Sequence, residues 1–151
     1  MKLKKIISKL SLEEKVSLLS GFDNWHTPDI KKYGIPKIKM SDGPNGVRGD
    51  SSTPQTSACF PSPILLGATW NEKLIKKIGS ATGEEALYKD VDVLLAPTIN
   101  LHRHPLGGRH FECYSEDPVL TSKIACSYVS VSYTHLTLPT MAIVFKSVVG
   151  G

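Results

Sequence analysis

The 151-residue sequence is poor in cysteine, in aromatic side chains and in long apolar runs. Its three cysteines, Cys59, Cys113 and Cys126, are an odd number without the spacing of a metal site. We therefore expect reduced thiols in a cytoplasmic protein. No apolar segment has the length of a signal-peptide core or of a membrane-spanning helix, so neither secretion nor membrane insertion is predicted.

Charge is also weakly patterned. The net charge is +4, and the lysines fall in short groups such as Lys31-Lys32 and Lys76-Lys77, which are typical of a solvated surface. No basic stripe with interleaved aromatic residues is present, so a nucleic-acid partner is not expected. With 40% hydrophobic and 21% charged residues, the composition is that of a globular domain with one core.

Three helices are predicted from N-cap residues that precede apolar residues at helical spacing. The caps are Ser11, Asn71 and Asp117, the first as part of a capping box with Glu14. The first helix should end at Gly21 and the second near Tyr88. The apolar faces are Leu12, Val16 and Leu19; then Leu74, Ile78 and Ala81; then Leu120, Ile124 and Tyr128.

Two apolar stretches predict strands. The stretch Ile38-Lys39-Met40 leads into a turn, and 91–96 is expected to be a buried parallel strand that ends at Pro97. The Ser-, Thr- and Pro-rich segment from Asp50 to Pro63 is expected to be an irregular loop. The order helix, strand, helix, strand, helix is typical of an α/β fold with parallel strands.

The first polar site candidate is the run Ser41-Asp42-Gly43-Pro44-Asn45-Gly46-Val47-Arg48. A carboxylate at the end of a strand can accept hydrogen bonds from two sugar hydroxyls, and Arg48 could converge as donor on the same ligand. The competing interpretation is that Asp42 only caps a turn, since Asp-Gly is a common turn pair. The residues alone leave both interpretations open.

The second candidate is the run 107–118, Gly-Gly-Arg-His-Phe-Glu-Cys-Tyr-Ser-Glu-Asp-Pro. Its two glycines permit close backbone approach, and the planar fork of Arg109 can bridge vicinal hydroxyls. Glu112 could hold Arg109 in place, but a purely structural ion pair between the two is equally compatible with the spacing. The neighbouring His102 and His104 lack a third ligand, so a metal site is not predicted.

Together the two runs resemble the N-terminal barrel domain of glycoside hydrolase family 3 β-glucosidases. The resemblance covers roughly Leu10 to Ser130 and extends to other stretches of that segment. These stretches are Asn24-Trp25-His26-Thr27, Cys59-Phe60-Pro61, Ala68-Thr69-Trp70 and Leu95-Ala96-Pro97-Thr98-Ile99-Asn100.

The resemblance implies a fold, an activity and three site residues. The fold would be roughly the first half of a (β/α)₈ TIM-type barrel, in residues 1–130. The parent enzyme would hydrolyse terminal β-D-glucosyl residues with retention, without a cofactor, on small β-glucosides or oligosaccharides. In the family, residues matching Asp42, Arg48 and Arg109 bind the hydroxyls of the glucose next to the scissile bond.

The resemblance ends after Ser130. The family would continue with a strand carrying Lys-His-Phe and, further on, an Asp nucleophile in a Ser-Asp-Trp-like motif and an acid/base in a second domain. This chain has none of these motifs, so it is expected to lack both catalytic carboxylates and to be inactive alone. Its tail, 131–151, has no helical period to continue the preceding helix. Within it, Ser132–Thr140 resembles a translated adapter run.

We therefore expect the tail to be a non-family segment that arose by truncation or mis-assembly of the gene. A genuine frameshift or a short paralogue is the other explanation. In those cases the product would be a non-catalytic sugar-binding remnant or a non-functional protein. The residues do not predict the oligomeric state.

Overall fold

The end of one helix packs against a short parallel sheet in this computed structural model, which describes residues 2–49 and 56–135. Short 3₁₀ turns occur at Lys31–Tyr33 and His110–Glu112. The helices and strands, in chain order, are α1 (Lys2–Ile7), α2 (Leu12–Ser20), β1 (Met40–Asp42), α3 (Pro63–Ala68), α4 (Glu72–Tyr88), β2 (Val93–Leu95) and α5 (Pro118–His135).

The three predicted N-caps are confirmed. The Ser11 hydroxyl accepts from the Glu14 amide at 3.2 Å while the Glu14 carboxylate accepts from the Ser11 amide at 2.9 Å. Asn71 accepts from the Leu74 amide at the start of α4, and Asp117 accepts from the Val119 amide at the start of α5. Each cap satisfies an amide that the first helical turn leaves without a partner, which is why local sequence sufficed to locate the helix starts.

The predicted apolar face of α4 is wrong. Its buried residues are Ile75, Gly79, Thr82, Gly83 and Ala86. The expected face of Leu74, Ile78 and Ala81 contributes only a partly buried Ile78. The inner face is built from small residues because α5 approaches closely: a Cβ on Gly79 would lie 2.6 Å from the Tyr128 carbonyl oxygen.

The apolar stripe of α2 lies in solvent. Leu12 is 72% exposed and Leu19 is 89% exposed, and no residue of this fully described helix is buried. The predicted spacing is therefore present on a helix whose apolar face has no cover among residues 2–49 and 56–135. A stripe of this kind on one helix is characteristic of a surface that packs against another element.

Strands β1 and β2 pair in parallel, as predicted, with Met40, Ser41 and Asp42 opposite Val93, Leu94 and Leu95. The predicted bounds of the first strand are wrong, because it begins at Met40 and includes Asp42. The expectation of a fully buried strand over 91–96 holds only in part. Leu94 is buried on one face of the sheet, whereas Leu95 is 50% exposed on the other. In the described part of the chain, helices cover only one face of the sheet.

The core consists of two clusters. Leu66, Ile75, Tyr114 and Ile124 form the larger one between α3, α4 and α5, together with Ala125 and Tyr128. The smaller cluster joins the end of α4 to the sheet and contains Val47, Ala86, Val91 and Leu94. Burial of each large apolar side chain contributes roughly 1.5–3 kcal/mol. The second cluster also anchors the turn after β1, because Val47 belongs to it.

Helix α5 continues past Ser130, so the prediction that the helical pattern stops there is wrong. It reaches His135. Ser132 is buried one turn beyond Tyr128 and donates to the Tyr128 carbonyl oxygen at 3.1 Å. A serine that returns its hydroxyl to the helix backbone can occupy a buried position, although its polarity interrupts the apolar pattern. The rest of the predicted tail, 136–151, lies outside the described residues.

The segment between β1 and α3 agrees with the expected irregular loop where it can be compared. Residues 56–62 form neither helix nor strand, and 50–55 lie outside the described residues. Helices α1 and α3 were not predicted, because six-residue helices carry too little periodic pattern. Across the described ranges, no helix combines the length and apolar character needed to span a bilayer.

We predict that Gly46→Ala destabilises the fold by on the order of 2 kcal/mol or more, because Gly46 combines positive φ with a close approach. Its φ is +138°, and an added Cβ would overlap the Ala58 carbonyl oxygen. Gly34→Ala, with φ of +67° and open space around it, should cost about 1 kcal/mol. Gly108→Ala, which meets nothing within 4 Å, is the neutral control. Urea unfolding with equal losses for all three variants would contradict this ranking.

Candidate functional site

Asp42 is the last residue of β1 and lies beside Leu95, the last residue of β2. Because the strands are parallel, their carboxyl ends share one edge, where loops commonly place polar side chains. The chain leaves β1 into the turn that carries Arg48 and leaves β2 into the segment from Thr98 to Leu101. Both candidate runs are therefore attached to this edge.

The turn after β1 does not depend on the Asp42 carboxylate. Its backbone closes through the Arg48 amide, which donates to the Asp42 carbonyl oxygen at 3.0 Å, and through the Gly46 amide, which donates to the Gly43 carbonyl oxygen. The buried Ser41 hydroxyl accepts from the Gly49 amide at 2.9 Å. Within 2–49 and 56–135, no amide donates to the exposed Asp42 carboxylate. The turn-cap interpretation of Asp42 therefore has no support in these hydrogen bonds.

Arg109 is held by Glu112, as its spacing suggested. Arg109 Nε donates to Glu112 Oε1, and the arginine side chain is 84% exposed while that of Glu112 is only 11% exposed. This hydrogen bond is the main reason that the pKa of Arg109 lies above its usual range. The negative charge of Glu112 is the second reason, and the charge of Asp42 makes a smaller contribution.

A cavity of about 660 Å³ lies against Arg109. This volume is within the range of small-molecule sites. Asp42 and Arg48 do not line it. The lining residues come from the segment after β2 and from the second run: Thr98, Ile99, Asn100, Leu101, Arg103, Gly107, Gly108, Arg109, His110, Glu112 and Cys113.

The histidines of this region build the loop around the cavity. His102 shares a hydrogen bond of 2.9 Å with the Cys113 carbonyl oxygen and stacks on His110, with ring centroids 5.2 Å apart. His104 Nδ1 accepts from the Leu106 amide at 3.2 Å. Gly107 lies against the His110 ring, which an added Cβ at this position would displace.

Of the three predicted site residues, the structure ties Arg48 to Asp42 through the backbone and places Arg109 on the loop that lines the cavity. The Arg48 side chain is exposed. Sequence reasoning missed Glu85 and Lys89, which contact the turn that carries Arg48. Their spacing from Val47 in sequence is too long for any local pattern to connect them.

Comparison with known proteins places this arrangement in a family. Residues 5–141 match the glycosyl hydrolase family 3 N-terminal domain. The chain belongs to this family. The match confirms the resemblance carried by the two loop motifs, and it runs past the boundary predicted at Ser130.

Several family 3 relatives are similar over most of the chain. A β-glucosidase of Rhizobium radiobacter is 55% identical over 127 residues, which is 83% of this chain and 16% of the relative. β-Glucosidase B of Emericella nidulans is 52% identical over 125 residues, covering 82% of this chain and 15% of the relative. The chain thus spans about a sixth of the length of these family members.

Solved family 3 structures share the fold of the chain. β-Glucosidase 3B from Thermotoga neapolitana, in complex with glucose, superposes with a TM-score of 0.78 at 38% identity, covering 89% of this chain and 22% of that one. The Kluyveromyces marxianus β-glucosidase, also in complex with glucose, gives 0.79 at 41% identity, covering 87% and 16%.

We predict that Cys113 is protected from alkylation while Cys59 and Cys126 react. Cys113 is 3% exposed, and burial raises the pKa of its thiol, whereas the other two thiols are exposed. Because the thiolate is the nucleophile, a raised pKa slows reaction at pH 8. Mass spectrometry after brief iodoacetamide treatment should show two labels, and three in urea. Equal labelling of all three thiols without urea would contradict the burial of Cys113.

Proposed function

We propose that the chain is the N-terminal part of a β-glucosidase that hydrolyses terminal β-D-glucosyl residues with retention of configuration. In this proposal Asp42, Arg48 and Arg109 bind the glucosyl hydroxyls. The observation that carries it is the exposed Asp42 carboxylate at the end of β1, which no amide of its turn uses in the described residues; the loop with the exposed Arg109 follows β2, which ends at the same edge. A carboxylate and a guanidinium with outward-facing atoms provide acceptors and donors suited to vicinal hydroxyls.

The glucose complexes of the two solved relatives support this assignment of ligand class. Those proteins share the fold of this chain at 38% and 41% identity. Their bound sugar belongs to the class of ligand that we propose for the edge formed by β1 and β2.

The catalytic carboxylates are proposed to lie in the remainder of the parent enzyme. Retaining hydrolysis needs a nucleophile and an acid/base about 5–5.5 Å apart. At this edge the nearly buried Glu112 is already paired with Arg109, which makes it a poor nucleophile. Asp42 alone cannot supply both roles. The chain would therefore bind part of the substrate without cleaving it.

The parent fold is proposed to be a (β/α)₈ barrel, of which this chain supplies roughly the first half. Parallel pairing of β1 and β2, with helices covering one face, is consistent with that architecture. The second face, which presents Asp42 and Leu95 to solvent, would become the interior when further strands are added. The family match reaches residue 141, so a non-family tail is proposed only for residues 142–151. The free cysteines fit a cytoplasmic enzyme.

We predict that the 151-residue chain has no activity on an aryl β-glucoside. A chimera of residues 1–130 followed by the remainder of the Rhizobium radiobacter β-glucosidase should hydrolyse it. The chimera adds the proposed catalytic carboxylates to the same binding residues. Hydrolysis by the chain alone, above a buffer blank and lost in Asp42→Ala, would overturn the proposed location of the chemistry.

In that chimera, Asp42→Ala should lower kcat/KM at least about 10²-fold, because a hydrogen bond to a charged group is worth roughly 1.5–3 kcal/mol and Asp42 would make two. The melting temperature should change little, since the turn is closed by backbone bonds and Ser41. Asp29→Ala is the matched control, because Asp29 is a partly exposed carboxylate that precedes β1 in the sequence. Near-normal kinetics with a lower melting temperature would support the turn-cap role instead.

A further inference from the structure

A buried lysine lies beneath the turn that carries Arg48. Lys89 follows the last residue of α4 and is only 8% exposed. Its ammonium donates to the Val47 carbonyl oxygen at 2.8 Å, to Ser57 Oγ at 2.6 Å and to Glu85 Oε1 at 2.8 Å. An ammonium has three donors, so all of them are used inside the fold.

Glu85 completes the contact from the other side. Its Oε1 accepts from the Ala58 amide at 3.0 Å, and its Oε2 lies 3.5 Å from the Val47 amide nitrogen. Val47 therefore has its carbonyl bonded to the lysine and its amide directed at the glutamate. Ser57 adds a second hydrogen bond to the Val47 carbonyl oxygen at 2.6 Å.

Val47 directly precedes Arg48, whose own amide donates to the Asp42 carbonyl oxygen at 3.0 Å. The peptide that links Val47 to Arg48 is consequently fixed between α4 and the end of β1. The side chain of Arg48 projects from this fixed peptide and is exposed. The position from which Arg48 reaches a ligand thus depends on Glu85 and Lys89.

Stability alone does not account for this pair. A buried ion pair loses hydration, and apolar residues of similar volume often stabilise a fold as well or better. Apolar residues could cover the end of α4, but they could not bond the carbonyl and the amide of one peptide residue. Attraction between the Lys89 ammonium and the carboxyl end of α4 does not explain the burial of Lys89 either. The ammonium is bonded to the turn as well as to Glu85.

We propose that Glu85 and Lys89 are positioning residues that hold the Arg48 turn in the geometry required to bind the substrate. This inference rests on the proposed function of Arg48 as a sugar-binding residue. Neither residue contacts the ligand in this proposal. Both act through Val47.

The first test uses amide hydrogen exchange of the 151-residue chain. Lys89→Met should raise the exchange of the Val47 and Ala58 amides at least about tenfold, because their acceptor Glu85 loses its partner. Exchange in the centre of α5 should stay unchanged. Lys76→Met, an exposed lysine on the same helix, is the control. If Lys89→Met does not fold, the double variant Glu85→Gln/Lys89→Met removes both charges. Unchanged exchange at Val47 would overturn the proposal.

The second test measures coupling to Arg48 in the full-length chimera described above. Lys89→Met should raise KM about tenfold with a smaller change in kcat, as expected when ground-state and transition-state binding are lost together. Arg48→Ala should then cost much less in the Lys89→Met background than in the unaltered enzyme, whereas the cost of Arg109→Lys should be the same in both.

The outcomes separate the two proposals. If Arg48→Ala costs activity equally in both backgrounds, the sugar-binding role of Arg48 stands and the positioning role of Lys89 is overturned. If Arg48→Ala has no effect in the unaltered enzyme, the proposed binding role fails and the positioning inference fails with it. Reduced cost in the Lys89→Met background, with faster exchange at Val47, supports the inference.

Discussion

The parallel pairing of β1 with β2 is the interaction on which the described structure depends. Hydrogen bonds of Lys39, the residue before β1, align the two strands. The Lys39 amide donates to the Asp92 carboxylate at 2.8 Å, and the Lys39 carbonyl accepts from the Asp92 and Val93 amides. These bonds fix the register that places Asp42 beside Leu95. A slip by one residue would reverse which side chains face the helices and would move Asp42 away from the open face.

Chemistry confined to a few neighbouring residues could be predicted from the sequence. The caps at Ser11, Asn71 and Asp117 involve partners two or three residues away, and the pairing of Arg109 with Glu112 is equally local. The parallel strands followed from their order among helices. Asp42 could be placed close to the end of a strand, but only the hydrogen bonds of its turn bear on whether it is a ligand-binding residue or a cap.

The rest could not be predicted because it depends on contacts that are distant in sequence or on small residues. The buried face of α4 contains two glycines, Gly79 and Gly83. Glycine allows another helix to approach closely, but its low hydrophobicity does not mark a buried face in the sequence. Ser132 continues the buried stripe of α5 with a hydroxyl. The bond from Lys89 to Val47 joins residues 42 positions apart. A lysine near a helix end ordinarily predicts a solvated surface, so its burial gave no signal.

The two arginines of the site are supported in different ways, and this has a consequence for the fold. Arg109 is held within its own loop by Glu112, three residues away. Arg48 is held from α4, through a buried cluster that also includes the packing of Val47 against Ala86 and Val91. Shifting α4 should therefore move Arg48 directly. Packing between α4 and α5, which depends on Gly79 beside Tyr128, is also linked to the second run, because Tyr114 of that run is buried in the cluster between these helices.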